Sequence, residues 1–250
     1  MVTGSKGFLG KSVVSQLVAA NHTVIHFDII DGHEILDYSN VLSKLMGVDL
    51  CIHLAAVADL YDAEADVEKC RIVNVDGTRV VGKACVESGA KMLFISTVCA
   101  YGNNGLKIQT ESSPLEPTEI YAETKAEAET VLATLKGLNY RVIRPATFYG
   151  PGMRDSLAIQ RFINASMNGR RIEIHGTGKQ TRCYTHVDDV ASAIGIVAAQ
   201  WPDDLVYNVA NPQPTSVIEL VDIIRKQSGL ELDIQHVTDR KGQINRSAID

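Results

Sequence analysis

The sequence predicts an α/β fold, with helices on both faces of a doubly wound parallel sheet, and two observations lead to it. The first is an alternation of helical and strand patterns along the chain, which implies parallel strands joined by right-handed crossovers. The second is a run of glycines between Gly4 and Gly10, placed between a short strand and the first helix. A glycine turn in this position is typical of the first strand–helix unit of such sheets.

Helix and strand patterns follow one another through the first 150 residues. Between residues 7 and 20 the apolar side chains recur every three or four positions, which predicts an amphipathic helix, and residues 23–28 predict a buried strand. The remaining predicted elements are a helix at 41–46, a strand at 50–54, a long helix ending near residue 89, a strand at 91–96, a helix at 120–136 and a strand at 140–144. Each strand–helix pair extends the sheet by one strand.

Composition and charge exclude several classes of protein. The 250-residue chain carries a net charge of -6, so the basic surface that nucleic acids require is not expected. Its five cysteines are scattered without a CxxC pair, which predicts neither a disulfide framework nor a metal site and fits a reducing cytoplasm. No apolar run approaches the roughly 18 residues of a membrane span, and no signal peptide is predicted. We expect a cytoplasmic globular protein with neither nucleic acid nor membrane as a partner.

The glycine-rich turn predicts a binding site for a pyrophosphate. Gly4 allows a tight turn, Gly7 lets the backbone approach the pyrophosphate, and Gly10 lets the helix pack closely on the strand. The N-terminus of the following helix supplies N–H donors and the positive end of its dipole. The residues of this turn that we expect to contact a cofactor are Gly4, Lys6, Gly7, Phe8 and Leu9.

Asp28, at the end of the second predicted strand, makes this interpretation more specific. A carboxylate at this place accepts hydrogen bonds from the ribose hydroxyls of an adenosine and repels a 2′-phosphate, so NAD is predicted rather than NADP. Asp37 is predicted either to hold the adenine amino group or to cap a helix. Leu54, Ala55 and Ala56 come at the end of the third predicted strand. The two alanines are small enough to let the backbone lie against the cofactor.

The chain divides into two parts at residue 152, where the sequence pattern changes. We expect a Rossmann-type, NAD-binding domain at 1–152, to which residues 183–210 return, and a smaller substrate-binding lobe at 153–250. The elements predicted beyond residue 152 are a helix at 156–167, a strand at 171–174, a glycine-bearing loop at 176–178, a helix at 187–200, a strand at 205–209 and a helix at 217–228. The short first strand and the missing helix stop at the end lead us to expect a chain truncated at both termini.

Tyr121 and Lys125 are placed on one face of a predicted helix, one turn apart. A neighbouring ammonium favours a phenolate, so we expect Lys125 to lower the pKa of Tyr121 toward the range of a general base. Ser96 and Thr97 end a strand at the carboxyl edge of the sheet, where ligands bind, and a hydroxyl there is placed to orient a substrate oxygen. A surface Tyr–Lys pair and two strand-end caps are the alternative interpretation.

Taken in chain order, these motifs resemble those of the extended short-chain dehydrogenase/reductase superfamily. The motifs that carry the resemblance are the glycine turn, Asp28, His53-Leu54-Ala55-Ala56, Asn74, Ser96-Thr97, Tyr101-Gly102, Tyr121 with Lys125, and Arg144-Pro145. The resemblance implies that Thr97 orients the substrate, that Tyr121 is the acid/base, and that Lys125 tunes Tyr121 and binds the nicotinamide ribose. The further cofactor-binding residues predicted with it are Asn74, Ser96, Tyr121, Lys125 and Pro145.

The second lobe resembles the nucleotide-sugar epimerase/dehydratase branch of this superfamily through residues 176–182 and 186–190. That resemblance implies that Arg182 and Arg246 grip the diphosphate of a nucleotide sugar, since a guanidinium makes bidentate bonds to phosphate oxygens. Thr147 stands where many relatives carry an Asn that contacts the sugar nucleotide, and it completes the predicted substrate site.

The two residues after Thr97 favour one reaction over another. In the 4,6-dehydratases of this branch an Asp-Glu pair follows the hydroxyl and supplies acid and base for water elimination, whereas this chain has Val98 and Cys99. The sequence therefore predicts an NAD-dependent nucleotide-sugar epimerase, similar to UDP-glucose 4-epimerase, with Tyr121 as acid/base. The alternatives are an NAD-dependent dehydrogenase or reductase of another alcohol, and a non-catalytic NAD-binding protein. The family also implies a homodimer.

Overall fold

The computed structural model describes residues 1–103, 107–239 and 244–250. Its strands are β1 (Val2–Thr3), β2 (His26–Phe27), β3 (Leu50–His53), β4 (Lys91–Ile95), β5 (Tyr140–Pro145), β6 (Thr147–Tyr149), β7 (Ile172–His175), β8 (Thr181–His186), β9 (Val206–Val209), β10 (Pro214–Ser216) and β11 (Ile234–Val237). Its α-helices are α1 (Phe8–Ala19), α2 (Tyr38–Leu45), α3 (Leu60–Ala65), α4 (Val67–Arg71), α5 (Gly77–Ser88), α6 (Ile120–Thr134), α7 (Ala158–Met167), α8 (Val187–Gln200) and α9 (Val217–Ser228).

A six-stranded parallel sheet lies at the centre, with the strand order β2-β1-β3-β4-β5-β9. The chain passes from β1 to β2 on one side and then returns to β3 on the other, so the direction of winding reverses between β1 and β3. In open α/β sheets, ligands bind outside the carboxyl ends of the strands at such a switch point. The predicted doubly wound α/β fold is confirmed.

The side chains of β4 show why this sheet has helices on both faces. Met92 and Phe94 point into one core, shared with α2, α5 and α6, whereas Leu93 and Ile95 point into a second core, shared with α1 and α8. Because successive side chains of a strand alternate between faces, a strand that is buried on both faces is apolar throughout. The run Met92-Leu93-Phe94-Ile95 is such a strand.

A smaller lobe follows β5 and is built on two short sheets. β6, β8 and β10 form a mixed three-stranded sheet, and β7 pairs in parallel with β11. Its core contains Phe162 from α7, Ile172 and Ile174 from β7, and Leu220 from α9. Helix α8 lies elsewhere, against α1 of the central sheet, where Ser12 donates to the Asp188 carboxylate at 2.5 Å. β9 likewise belongs to the central sheet.

Two predicted elements differ from the structure. The strand predicted at 23–28 is paired only over His26–Phe27, because β1 offers only Val2 and Thr3 as partners. The long helix predicted to end near residue 89 is divided into α4, a π-helical turn at Ile72–Asp76, and α5. Within the described residues, no helix combines the length and the apolar character that crossing a membrane requires.

Candidate active site

The glycine turn packs so closely that side chains have no room in it. Gly4 has a φ of +66°, and a Cβ there would lie 2.8 Å from the Ala55 nitrogen. A Cβ on Gly10 would lie 2.1 Å from the Gly4 carbonyl oxygen. Gly7 is the N-cap of α1, and no side chain of the described residues caps that end of the helix. The first N–H groups of α1 therefore remain available for an anionic ligand, which fits a pyrophosphate.

The Asp28 carboxylate is fixed next to this turn, directly after β2. Only 5% of Asp28 is exposed; its Oδ2 accepts a hydrogen bond from the Lys6 N–H at 2.8 Å, and its Oδ1 accepts from the Ile30 N–H at 3.0 Å. Each carboxylate oxygen keeps a second lone pair for a ribose hydroxyl. The Lys6 ammonium pairs with Asp31, so its charge is directed away from Asp28. The glycine cradle and Asp28 together fit the adenosine diphosphate part of NAD.

A buried histidine, His53, to which the sequence analysis assigned no role of its own, organises the switch point. His53, at the end of β3, hydrogen-bonds Thr3 Oγ1 at 2.7 Å through Nδ1 and Thr78 Oγ1 at 3.1 Å through Nε2. Thr78 donates its own proton to the Asn74 carbonyl at 2.6 Å, so it accepts from His53, and Thr3 donates to His53. Burial lowers the pKa of His53 to about 3, so the ring is neutral. Thr3 also accepts from the Ala55 N–H at 3.2 Å, which fixes the loop after β3.

The proposed catalytic residues meet at the carboxyl edge of the sheet. Tyr121 is the second residue of α6, and Lys125 follows one turn later. The Thr97 hydroxyl, at the end of β4, forms a hydrogen bond that lowers the pKa of the Tyr121 phenol and also accepts from the Cys99 N–H at 3.1 Å. The Lys125 Nζ lies 4.0 Å from the centroid of the Phe94 ring. The three residues predicted to be catalytic therefore share one region of the molecule.

The electrostatics of this region differ from the prediction that Lys125 lowers the pKa of Tyr121. Burial is the largest effect and raises the pKa of Tyr121; Cys99 also raises it, whereas Arg154 and the Thr97 hydrogen bond lower it. Burial lowers the pKa of Lys125 itself to about 7. Helix spacing indicates that two residues share a face, but it does not reveal how strongly that face is dehydrated.

Several residues predicted to contact the cofactor have protein partners in the structure. Ser96 donates to the Glu129 carboxylate at 2.5 Å, and Asp37 accepts from the Asn40 N–H at 3.1 Å as the N-cap of α2. Asp37 thus has the capping role that was the alternative to adenine binding. Asn74 is buried and bonds to backbone groups of Val57. These contacts position backbone segments around the predicted cofactor site.

One pocket lies beside the two residues that follow Thr97, and its lining includes Val98, Cys99, Thr147, Arg182 and Arg246. Arg182 donates through one nitrogen to the carbonyl oxygens of Thr181 and Ile244, at 2.8 and 2.7 Å. Three of the four residues predicted to bind substrate, Thr147, Arg182 and Arg246, lie up to 99 positions apart in the chain and line this pocket, whereas Thr97 does not line it. Among the described residues no group of three or more potential metal ligands occurs.

Arg154 is a site residue that the sequence did not indicate. It lies on the loop between β6 and α7, donates to the Ala58 carbonyl at 3.1 Å, and approaches Asp59 Oδ2 to 3.7 Å. Ser156 donates to the same Asp59 oxygen at 2.5 Å. The loop of the smaller lobe is thereby joined to the loop after β3, next to Tyr121. An isolated arginine after a Gly-Pro-Gly turn carries no local pattern that predicts such a contact.

Comparison with known proteins gives a consistent result. The model of the NAD dependent epimerase/dehydratase family matches residues 1–210. A dTDP-glucose 4,6-dehydratase from Streptomyces griseus is 31% identical over 211 residues, which are 82% of this chain, and the match spans 64% of that relative's length.

Two solved structures share this fold at closely similar scores. DesIV, a dTDP-glucose 4,6-dehydratase from Streptomyces venezuelae solved with NAD and TYD bound, superposes with a TM-score of 0.93 at 28% identity, over 100% of this chain and 87% of its own. A UDP-glucose 4-epimerase from Thermotoga maritima, solved with UDP-glucose, superposes with a TM-score of 0.92 at 26% identity, over 100% and 88%. The same architecture thus occurs in proteins named for two different reactions.

Proposed function

Since this chain belongs to the NAD-dependent epimerase/dehydratase family, we propose that it binds NAD and a nucleotide sugar and epimerises one carbinol centre of the sugar. When bound, NAD supplies the reversible hydride acceptor that such an inversion needs. The glycine cradle would hold its pyrophosphate, and Asp28 its adenosine ribose. Relatives that are named for nucleotide-sugar chemistry support this assignment.

The contact of Thr97 with the Tyr121 phenol is the observation that carries the proposal. With the two side chains in contact, the Thr97 hydroxyl would orient a sugar hydroxyl and the Tyr121 phenol would exchange a proton with it. Burial raises the pKa of Tyr121, so the phenol is protonated at neutral pH in the free protein. Cations and hydrogen-bond donors near the phenol must therefore favour its ionised form during turnover, and Arg154 and Thr97 act in that direction.

The residues that follow Thr97 favour epimerisation over dehydration. Water elimination needs an acid and a base in addition to Tyr121, and an Asp-Glu pair supplies them in the dehydratases of this branch. Here Val98 is buried hydrocarbon, and Cys99 is a thiol on the wall of the pocket. Epimerisation needs one acid/base and a ketone that can present either face, so Tyr121 with Thr97 is sufficient.

The substrate side of the proposal rests on Arg182 and Arg246. Both line the pocket that contains Val98 and Cys99, whose volume is about 10 Å³, so the two side chains would have to move apart for their guanidinium groups to bind the diphosphate of a nucleotide sugar. Arg182 uses one nitrogen for backbone carbonyls, so its remaining N–H groups are the donors for phosphate oxygens.

We place the protein in the cytoplasm as a homodimer. No disulfide joins the five cysteines, and four of them are buried, which fits a reducing compartment. The outer surface of the α4–α5 region carries exposed apolar side chains at Val67, Ile72 and Val86. A dimer that covers them would double the mass measured by sedimentation, and a monomer at micromolar concentration would oppose this part of the proposal.

The reaction is tested by incubating the purified protein with NAD and a panel of UDP- and dTDP-sugars. We expect interconversion of sugar epimers without net NADH, and loss of this activity in Tyr121→Phe. Tyr140→Phe, at the opposite end of the sheet, is the control and should retain it. Loss of water from the sugar, seen by mass spectrometry, would indicate a dehydratase instead. Stoichiometric NADH would indicate a dehydrogenase of another kind, and no conversion at all a non-catalytic NAD-binding protein.

A further inference from the structure

Glu129 is a largely buried carboxylate on the helix that carries Tyr121 and Lys125, and the proposed reaction does not use it. Tyr121, Lys125 and Glu129 follow one another at four-residue intervals in α6, so they share one face of the helix. Lys125 is 2% exposed, and the Glu129 side chain is 11% exposed. A carboxylate is rarely kept in such a place without partners, because burial of an unpaired charge is costly.

Two residues from the sheet fix the Glu129 carboxylate. Arg144 of β5 donates to both of its oxygens, from Nε to Oε1 at 3.0 Å and from Nη2 to Oε2 at 2.5 Å. Ser96 of β4 donates to Oε1 at 2.5 Å. Arg144 is held in turn by the Tyr101 hydroxyl at 2.9 Å. The carboxylate therefore has a defined position one helical turn beyond Lys125, and its orientation does not depend on solvent.

The surroundings of Lys125 otherwise disfavour its charge. Burial is the dominant effect and lowers the pKa of Lys125 to about 7. The groups that act against this are Glu129, which is the larger, and Cys70 of α4. His53, from β3, is neutral and brings no charge, and the Phe94 ring offers only its π-face. Without Glu129 the amine would have no carboxylate among the groups that favour its ammonium form.

We propose that Glu129 is a positioning residue of the active site, whose carboxylate, fixed by Arg144 and Ser96, favours the ammonium form of the buried Lys125 side chain. The effect of Glu129 on turnover rests on the proposed function, because only the proposed reaction requires a cation beside Tyr121. Its effect on the charge of Lys125 is a property of the free protein and is measured separately.

The test follows the titration of Lys125 in the ligand-free protein by NMR, with ¹³C-labelled lysine. The Lys125 signal is assigned as the one missing from Lys125→Met. In Glu129→Gln we expect the titration midpoint to fall by about one pH unit or more, since an adjacent opposite charge shifts a pKa by that order. Glu127→Gln is the matched control, because Glu127 lies on the same helix but is exposed and pairs with Arg71. Its midpoint should equal that of the wild type.

A second variant guards against misfolding when Arg144 loses its partner. The double variant Glu129→Gln with Arg144→Met removes both charges, and buried ion pairs are commonly replaced in this way without loss of the fold. Because it also removes the positive charge of Arg144, its midpoint should lie between those of the wild type and Glu129→Gln, and Glu129→Asp should restore part of the wild-type value. A Lys125 midpoint that is unchanged in both Gln-bearing variants would overturn the proposal.

Turnover then separates this inference from the proposed function. If the protein is an epimerase, the alkaline limb of kcat should move to lower pH in Glu129→Gln, together with the Lys125 midpoint, and should stay in place in Glu127→Gln. A wild-type protein that converts no nucleotide sugar but shows the shifted midpoint would contradict the proposed function alone. An active wild type whose Lys125 midpoint is indifferent to Glu129 would contradict this inference alone.

Discussion

Asn74 holds both backbone groups of Val57: its Oδ1 accepts from the Val57 N–H at 2.8 Å, and its Nδ2 donates to the Val57 carbonyl at 3.0 Å. The same amide donates to Thr124 Oγ1 at 2.9 Å, on the helix that carries Lys125. The π-helical turn Ile72–Asp76 contains Asn74, and such turns often occur at functional sites. Asn74 therefore ties the loop after β3, on the cofactor side, to the catalytic helix.

Replacing Asn74 by Asp should lower the free energy of unfolding by about 1–3 kcal/mol, because a carboxylate cannot donate to the Val57 carbonyl or to Thr124. Urea denaturation measures the change. Asn211→Asp is the control: Asn211 is exposed, and its Oδ1 accepts from the Gln213 N–H at 3.0 Å, a role that a carboxylate keeps, so its replacement should cost less than about 0.5 kcal/mol. Equal unfolding free energies for the two variants would speak against the role given to Asn74.

Gly10→Ala should destabilise the protein and abolish NAD binding. Its Cβ would lie 2.1 Å from the Gly4 oxygen and 2.9 Å from backbone atoms of Ser5, so the turn must open, at a cost of about 1–3 kcal/mol. Gly195→Ala is the matched control, since a Cβ there meets no atom within 4 Å and helix α8 gains about 0.5–1 kcal/mol. Thermal unfolding of both variants checks this; a lower Tm for Gly195→Ala than for Gly10→Ala would refute it.

The elements of the fold could be predicted because each depends on local pattern. Period-2 and period-3.6 spacing, and the glycine turn, are properties of adjacent residues, and they located the parallel sheet and Asp28 correctly relative to it. The strand at 23–28 was predicted too long, since the length of a paired strand depends on its neighbour β1 and not on its own residues.

The contacts of the site could be predicted only in part, because they join distant parts of the chain. Tyr121 and Thr97 were found through their motifs, but Arg154 reaches Asp59 across 95 positions and left no signal in the sequence. Ser96 was expected beside the cofactor, while its hydroxyl is engaged by Glu129. A polar residue at a strand end has several potential partners, and tertiary packing alone selects among them.

Asp28 should determine the choice between NAD and NADP. The carboxylate is fixed by two backbone N–H groups and repels a 2′-phosphate, so the wild type should bind NAD more tightly. Asp28→Ser should narrow this preference by about tenfold or more, the effect of roughly 1.4 kcal/mol. Asp49→Ser, at an exposed position directly before β3 and at the opposite edge of the sheet, should leave the preference in place. Tighter NADP binding by the wild type, in a fluorescence titration, would rule the assignment out.

His53 should make the protein less stable as the pH falls. Its pKa is about 3 in the folded protein, against an ordinary value of 6.5, so between these values the unfolded chain binds a proton that the folded chain does not. The free energy of unfolding should therefore decrease with falling pH across this range, by about 1.4 kcal/mol per pH unit from His53. His53→Gln lacks this contribution, and its pH profile should be flatter. Parallel profiles for the two proteins would show that His53 does not titrate in this way.

Arg154 should set the pH at which Tyr121 becomes a base. Its guanidinium is among the groups that lower the pKa of Tyr121, so Arg154→Gln should raise that pKa and move the limb of kcat that rises with pH to higher pH. Arg154→Lys keeps the charge and should restore most of the wild-type profile. Arg161→Gln is the control, because Arg161 pairs with Glu173 on the far side of α7.

The pH profile also separates this electrostatic role from a structural one. Arg154 joins two loops through Ala58 and Asp59, so its loss can raise KM and lower Tm without any effect on the phenol. A purely structural role would leave the rising limb of the kcat–pH profile at the same pH as in the wild type. If the rising limb of the kcat–pH profile moves to higher pH in Arg154→Gln and returns in Arg154→Lys, the positive charge at position 154 acts on the pKa of Tyr121 electrostatically. If that limb stays in place in Arg154→Gln, this electrostatic role is excluded.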